Sequence, residues 1–170
     1  SYIDSPGTAV SANVLTVRTG TLTTSNNTSY AAQSAVAPKT EYKVGSWTIT
    51  ANTTEDVNLT QFDADFSAAV SDASAASDYS NLYVTYGPEG DENELSAKSS
   101  VSLTSNVWSL NYTLEAGETI YVNAYANVAT TVSDDTDGDD IITADIDVDG
   151  TSVDSATAIY GSDVAGQAIT

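Results

Sequence analysis

Asp135, Asp137 and Asp139 alternate around Gly138 within the run Ser133–Asp140, SDDTDGDD. Alternating carboxylates on a glycine-bearing turn are what a hard cation such as calcium selects, because it takes several oxygen ligands at once. The match to an EF-hand loop is partial: Ser133 stands where that loop begins with Asp, and Ala144 replaces its closing Glu. Asp135, Asp137 and Asp139 are therefore candidate calcium ligands, the alternative being a solvated acidic hairpin loop. Asp145, Asp147 and Asp149 follow on the polar face of the next extended stretch. Like charges two residues apart repel, so either a cation or a salty, exposed setting would suit them.

Other chemistry is narrowly bounded. The chain has no histidine and no cysteine, so Ser-His-Asp and Cys-His arrangements cannot be assembled. Zinc or copper sites built on imidazole or thiolate are also excluded. A carboxylate pair could cleave a glycosidic bond, but with 24 acidic residues no pair is singled out by pattern. The expectation is a protein that is not an enzyme.

Five sequons occur, at Asn26, Asn27, Asn52, Asn58 and Asn111. They are candidate sites for covalent glycans on an exposed surface. Asn26 and Asn52 are expected in loops, and Asn58 and Asn111 on strands with their side chains away from the apolar face. Tyr83, Tyr121 and Tyr125 fall opposite the apolar phase of their strands. Such rings make either a sugar-stacking platform or cross-strand pairs.

These residues must be carried by a sheet scaffold. The chain has 170 residues, enough for one domain with a real core, and ten tyrosines favour strands over helices. Trp47, Ile49 and Ala51 alternate in one run, and Leu82, Val84 and Tyr86 in another. Trp108, Leu110, Tyr112 and Leu114 lead through Glu115-Ala116-Gly117-Glu118 into Ile120, Val122, Ala124 and Ala126, a hairpin signature. Ile142, Ala144, Ile146 and Val148 alternate further on. Val57 and Leu59 are followed by Phe62, Ala64 and Phe66 one residue out of phase, which predicts a bulge near Thr60-Gln61. Val101–Leu103, Ala156–Tyr160 and Val164–Thr170 read as further strands. Short strands, regular turn signals and no amphipathic helix predict an all-β chain, an immunoglobulin-like antiparallel β-sandwich with an N-terminal extension strand.

The opening strand is read in the stretch Ser11–Ser25, where Leu15 and Val17 alternate with Thr16 and Arg18, and Leu22 resumes after a glycine kink or bulge at Gly20. The polar run Ser25–Ser29 follows it, so this strand must find its partner elsewhere in the domain or in a neighbour. Residues 1–24 are read as extension and candidate donor strand, and residues 25–170 as the sandwich. The formal net charge is −20. That nearly excludes nucleic acid, whose phosphates need Lys and Arg, and disfavours an anionic membrane surface. No run is long and apolar enough to span a membrane, and no signal-peptide pattern opens the chain.

The segments LTVRTGTL, VGSWTITANTTEDVNLTQF, SDYSNLYVTYG, WSLNYTLEAGETIYVNAYANV and VAGQAIT resemble secreted immunoglobulin-like repeat domains of bacterial surface and pilus-like fibre proteins. The resemblance implies a structural role at the cell surface, extracellular, with no catalytic motif to carry over. Some fibre subunits of that kind accept the N-terminal strand of the next subunit, which implies a head-to-tail homopolymer. The residues expected at such an interface are Val10, Val14, Leu15, Val17 and Leu22, with Val164–Thr170 as a competing donor. The other reading is a carbohydrate-binding or adhesive module of a cell-surface protein. No organic cofactor is implied, and calcium is the only ion suggested.

Overall fold

A computed structural model describes residues 13, 18–68, 78–129 and 142–169. Among these residues there is no α-helix, and ten strands form two antiparallel sheets. The strands are β1 (Leu22–Asn26), β2 (Lys39–Ala51), β3 (Val57–Ala68), β4 (Tyr79–Gly87), β5 (Asn93–Glu94), β6 (Val107–Leu114), β7 (Thr119–Val128), β8 (Ile142–Ser152), β9 (Ala158–Ile159) and β10 (Val164–Ile169). One sheet runs β1-β2-β7-β4-β5 and the other β10-β8-β3-β6, with β9 added to the end of β8. The protein is a β-sandwich.

Its core follows the alternation of the sequence. Trp47, Ile49 and Ala51 from β2 meet Phe62, Ala64 and Ile146 from the opposite sheet, all at or near zero exposure. The phase slip in β3 is real: the register of β3 against both β6 and β8 shifts between Leu59 and Gln61. That shift keeps Leu59 and Phe62 both fully buried although they are three residues apart. Trp47 spans the two sheets. Its ring lies over Gly45 and Gly166, where a Cβ would come within 2.8 and 2.9 Å of ring carbon Cζ2, and its Nε1 donates to Val164 O at 2.9 Å.

Three turns gather at one end of the sandwich. The β6–β7 turn is closed by Gly117 at φ 82°, a left-handed position that favours glycine. Its Ala116 amide donates to Asp56 Oδ1 at 2.8 Å and Gly117 N to Asn52 O at 3.0 Å, tying it to the β2–β3 turn. Val153 N donates to Asp56 O at 2.9 Å, which brings in the β8–β9 turn.

Four sequence expectations change. The opening strand, as far as it is described, is Leu22–Asn26, with residues 18–21 outside it. Ser25 and Asn26, read as polar loop, are strand residues paired with Thr48 and Trp47. Val101–Leu103 is not a strand; it is a loop segment whose Leu103 O receives Phe66 N at 2.9 Å. The expected strand Ala156–Tyr160 shrinks to Ala158–Ile159, preceded by Ala156 at φ 51°.

Candidate functional site

The N-terminal segment is built into its own domain from Thr19 onward. Glu55 sits in the β2–β3 turn with 7% of its surface exposed. Its Oε1 accepts from Gly20 N at 2.6 Å and Ser155 Oγ at 2.8 Å, and its Oε2 accepts from Asp154 N and Ser155 N, each at 2.9 Å. The Ser155 hydroxyl and amide, with the Gly20 and Asp154 amides, hold the carboxyl down to about 2 against the opposing effect of burial. Residue 20 must be small, because a Cβ there would stand 2.7 Å from Ser152 Oγ. Asn52 Nδ2 donates to Thr19 O at 3.3 Å and Asn52 N to Thr21 O at 3.0 Å.

A buried polar seam fixes the other end of β1. Gln167 on β10 accepts from Ser46 N at 3.1 Å, and donates to Asn27 O at 2.9 Å, to Ser46 O at 3.2 Å and to Asn26 Oδ1. Ser46 Oγ donates to Asn123 Oδ1 at 2.7 Å and receives Asn27 Nδ2 at 3.0 Å. Asn26 Nδ2 crosses to Ala165 O at 3.2 Å. The two sheets are thus stitched where β1 faces β10.

Of the expected interface residues, Leu22 is half-buried and packs against the home core. Val10, Val14, Leu15 and Val17 lie outside the described residues. The boundary drawn after residue 24 falls inside β1. The competing donor, β10, pairs with β8 of its own chain, and Ile169 is only 3% exposed.

The sequons separate cleanly. The amide nitrogens of Asn26, Asn27 and Asn52, where a glycan would attach, are engaged as just described. Asn58 on β3 is half-buried, and its Oδ1 is enclosed with no hydrogen-bond partner. Asn111 is exposed on β6.

The tyrosines form cross-strand pairs. Tyr83 and Tyr125 sit opposite each other and stack with ring centres 5.2 Å apart and planes at 13°. Lys43 Nζ lies 5.5 Å from the Tyr125 ring centre and 5.3 Å from that of Tyr30. Tyr30, its phenol pushed up to about 12 mainly by burial, donates to Lys43 O at 2.5 Å. Tyr121 pairs across to Thr48 and Gly87 and has no part in the stack. Rings stacked on each other and on a lysine do not form the flat open row a sugar needs.

Asp135, Asp137 and Asp139 lie outside the described residues, and among the described residues no group of three or more acids is arranged to hold a metal ion. The downstream aspartates meet a second row across the ladder: Asp147 faces Asp63 and Asp145 faces Asp65. Some of this acid has a local task, since Asp63 Oδ1 receives Asn106 N at 2.8 Å and Asp149 Oδ1 receives Gly161 N at 3.1 Å. Asp65 Oδ1 and Asp147 Oδ1 are enclosed with no hydrogen-bond partner. Burial, then the charges of Asp63, Asp163 and Asp145, raise the Asp65 carboxyl to about 6. Burial first, with Asp149 and Asp163, also raises that of Asp147.

Between β1 and the β9–β10 connection lies a cavity of about 270 Å³ lined by Leu22, Val148, Ile159 and Val164, with Tyr160 at its rim. It falls below the roughly 300–1,000 Å³ of small-molecule sites, and Thr23, Thr24 and Ser162 line it as well.

Among the described residues, the longest terminal strand of either sheet is β6. It is the last strand of its sheet, and among the described residues no strand pairs with its far side. Its eight residues, VWSLNYTL, carry no charge. Natural edge strands are usually blunted by charge, proline or a bulge, and β6 has no Lys, Asp, Glu or Pro. Sequence reasoning missed this site because β6 looks like any amphipathic strand until its place in the sheet order is known. No family model, no curated protein and no solved structure matches the chain.

Proposed function

We propose that the protein is a structural, non-catalytic subunit of an extracellular filament or surface fibre, joined head-to-tail by strand donation. The observation that carries this reading is the uncharged eight-residue edge of β6 in a chain of net charge −20. An open edge is a template for a strand from another chain, and a contact of that kind that does not close into a ring propagates.

Charge distribution supports the same reading. Residues 1–43 carry two acids (Asp4, Glu41) and three bases (Arg18, Lys39, Lys43), a net of +1. Residues 44–170 carry the other 22 acids and only Lys98, a net of −21, which completes the total of −20. The N-terminal part can thus approach the body of a second copy without strong repulsion. Glycans, where present, fit best at Asn111, the one sequon exposed and outside the hydrogen-bond networks above.

The test is size-exclusion chromatography with negative-stain microscopy on the full chain and on a chain lacking Ser1–Val17. Full-length filaments and a monomeric truncation support the reading. A full-length chain that stays monomeric at high concentration contradicts it.

A further inference from the structure

We infer that the far edge of β6 is the acceptor, and that its occupant is the stretch Val10–Val17 of a second copy, added antiparallel. The inference rests on the strand-donation reading and specifies the surface and the direction.

Length and chemistry match first. Val10–Val17 is VSANVLTV, eight uncharged residues, against eight uncharged residues of β6. An acidic or basic insert would place unpaired charge beside half-buried Leu110 and Tyr112, the latter edge-on to Tyr86 with ring centres 5.3 Å apart. On the outer face Ser109, Asn111 and Thr113 are exposed, so a paired strand would meet polar neighbours there and apolar ones inside.

Of the four terminal strands, β5 has only two residues and β10 is met by Gln33, whose amide donates to Ala168 O at 3.1 Å; direction discriminates between the remaining two, β6 and β1. Thr19–Thr21 are fixed at the end where the β2–β3, β6–β7 and β8–β9 turns gather. Strand β6 runs toward that end, from Val107 to Leu114, and β1 runs away from it, from Leu22 beside Ala51 to Asn26 beside Trp47. In a stack of subunits sharing one orientation, a segment leaving the pinned end enters the next subunit from the far end. Its own N-to-C direction then opposes β6 and parallels β1. Antiparallel pairing is the more stable of the two per residue. The β1 edge is also short and already bonded to β10 through Asn26. Occupation of the same edge by the chain's own leader is disfavoured by Glu55, whose bond to Gly20 holds the root of the segment at the wrong end for an antiparallel return.

The absence of native cysteine makes the test clean. Chains carrying N111C are mixed under mild oxidation with chains carrying A12C, N13C or V14C, three positions that cover both pairing phases. T23C chains, with the cysteine on the β1 edge, serve as the control. All substituted acceptor positions are exposed, and each variant is first checked for an unchanged melting temperature. Disulfide-linked dimers between N111C and a leader cysteine, with loss of that product for T23C, are the expected result. Filaments that crosslink through T23C but not N111C overturn the β6 assignment and leave the strand-donation reading standing. Filaments that crosslink through neither, in any leader variant, overturn the assignment as well. A chain that forms neither filaments nor crosslinks overturns both.

Discussion

Glu55 Oε1 lies 2.6 Å from the amide nitrogen of Gly20, thirty-five residues earlier in the chain. This bond, with the three that the same carboxylate accepts from Asp154 and Ser155, makes one side chain the joint between the N-terminal segment and the end of the sandwich. If the segment is held by a neighbouring subunit, any pull on it reaches the fold through this joint.

The first prediction concerns that joint. E55A strands the buried amide of Gly20 and the part-buried amides of Asp154 and Ser155, and lowers the melting temperature clearly. E55Q keeps the shape and one acceptor oxygen, and falls between E55A and the parent. Limited proteolysis around Thr19–Thr21 distinguishes a local from a global effect: the joint account requires faster cleavage there in both variants.

A second prediction follows from charge. Asp65 has a folded-state value of about 6, above its ordinary 3.8. In that window the folded chain binds more protons than the unfolded chain, so stability falls as pH rises from about 4 to 6. Glu55 acts in the opposite sense, held near 2 against an ordinary 4.5. Its contribution is present above the ordinary value and fades as pH falls toward 2. Thermal melts across pH therefore peak between about 4 and 5, and D65N raises stability at pH 7 while flattening the decline above pH 5. Added salt narrows the difference between parent and D65N in part, because a Debye length of about 8 Å at physiological ionic strength screens the charges of Asp63, Asp163 and Asp145, though not the effect of burial.

The core gives a third prediction. Phe62 is fully buried and meets Tyr86 edge-on, ring centres 5.6 Å apart. F62A should cost about 3–5 kcal/mol in chemical denaturation, the usual range for emptying a buried aromatic site.

A fourth concerns the polar seam. Gln167, 6% exposed, serves β1 and β2 with both ends of its amide. Q167L leaves Ser46 N and Asn27 O without their partner and should cost about 1–3 kcal/mol. Hydrogen exchange should show β1 loosened while β3 and β8 stay protected.

The seam also marks where the sequence stops being legible. Trp47, Ile49 and Ala51, and the phase slip at Thr60-Gln61, could be read because alternation is a local signal tied to burial. Ser25 and Asn26 read as loop because their strand character depends on Gln167, more than 140 residues away, and on pairing with β2. Val101 and Leu103 looked like a strand since they are apolar and alternate, yet they serve as half-buried plugs from a loop beside β6. The same non-locality hid the candidate site. Residues 107–114 show an apolar face, but only the sheet order reveals an edge to which no described strand is paired. The acidic row was half-visible: Asp145, Asp147 and Asp149 alternate in the sequence, whereas Asp63 and Asp65 join them only through the β3–β8 register.

The most direct measurement is sedimentation velocity of the purified full-length chain over a wide concentration range, run beside the chain lacking Ser1–Val17. Strand donation predicts an open series of growing species for the full-length chain and a single monomer, with unchanged melting temperature, for the truncation. A full-length chain that sediments as one monomer throughout, or a truncation that polymerises equally well, would contradict it.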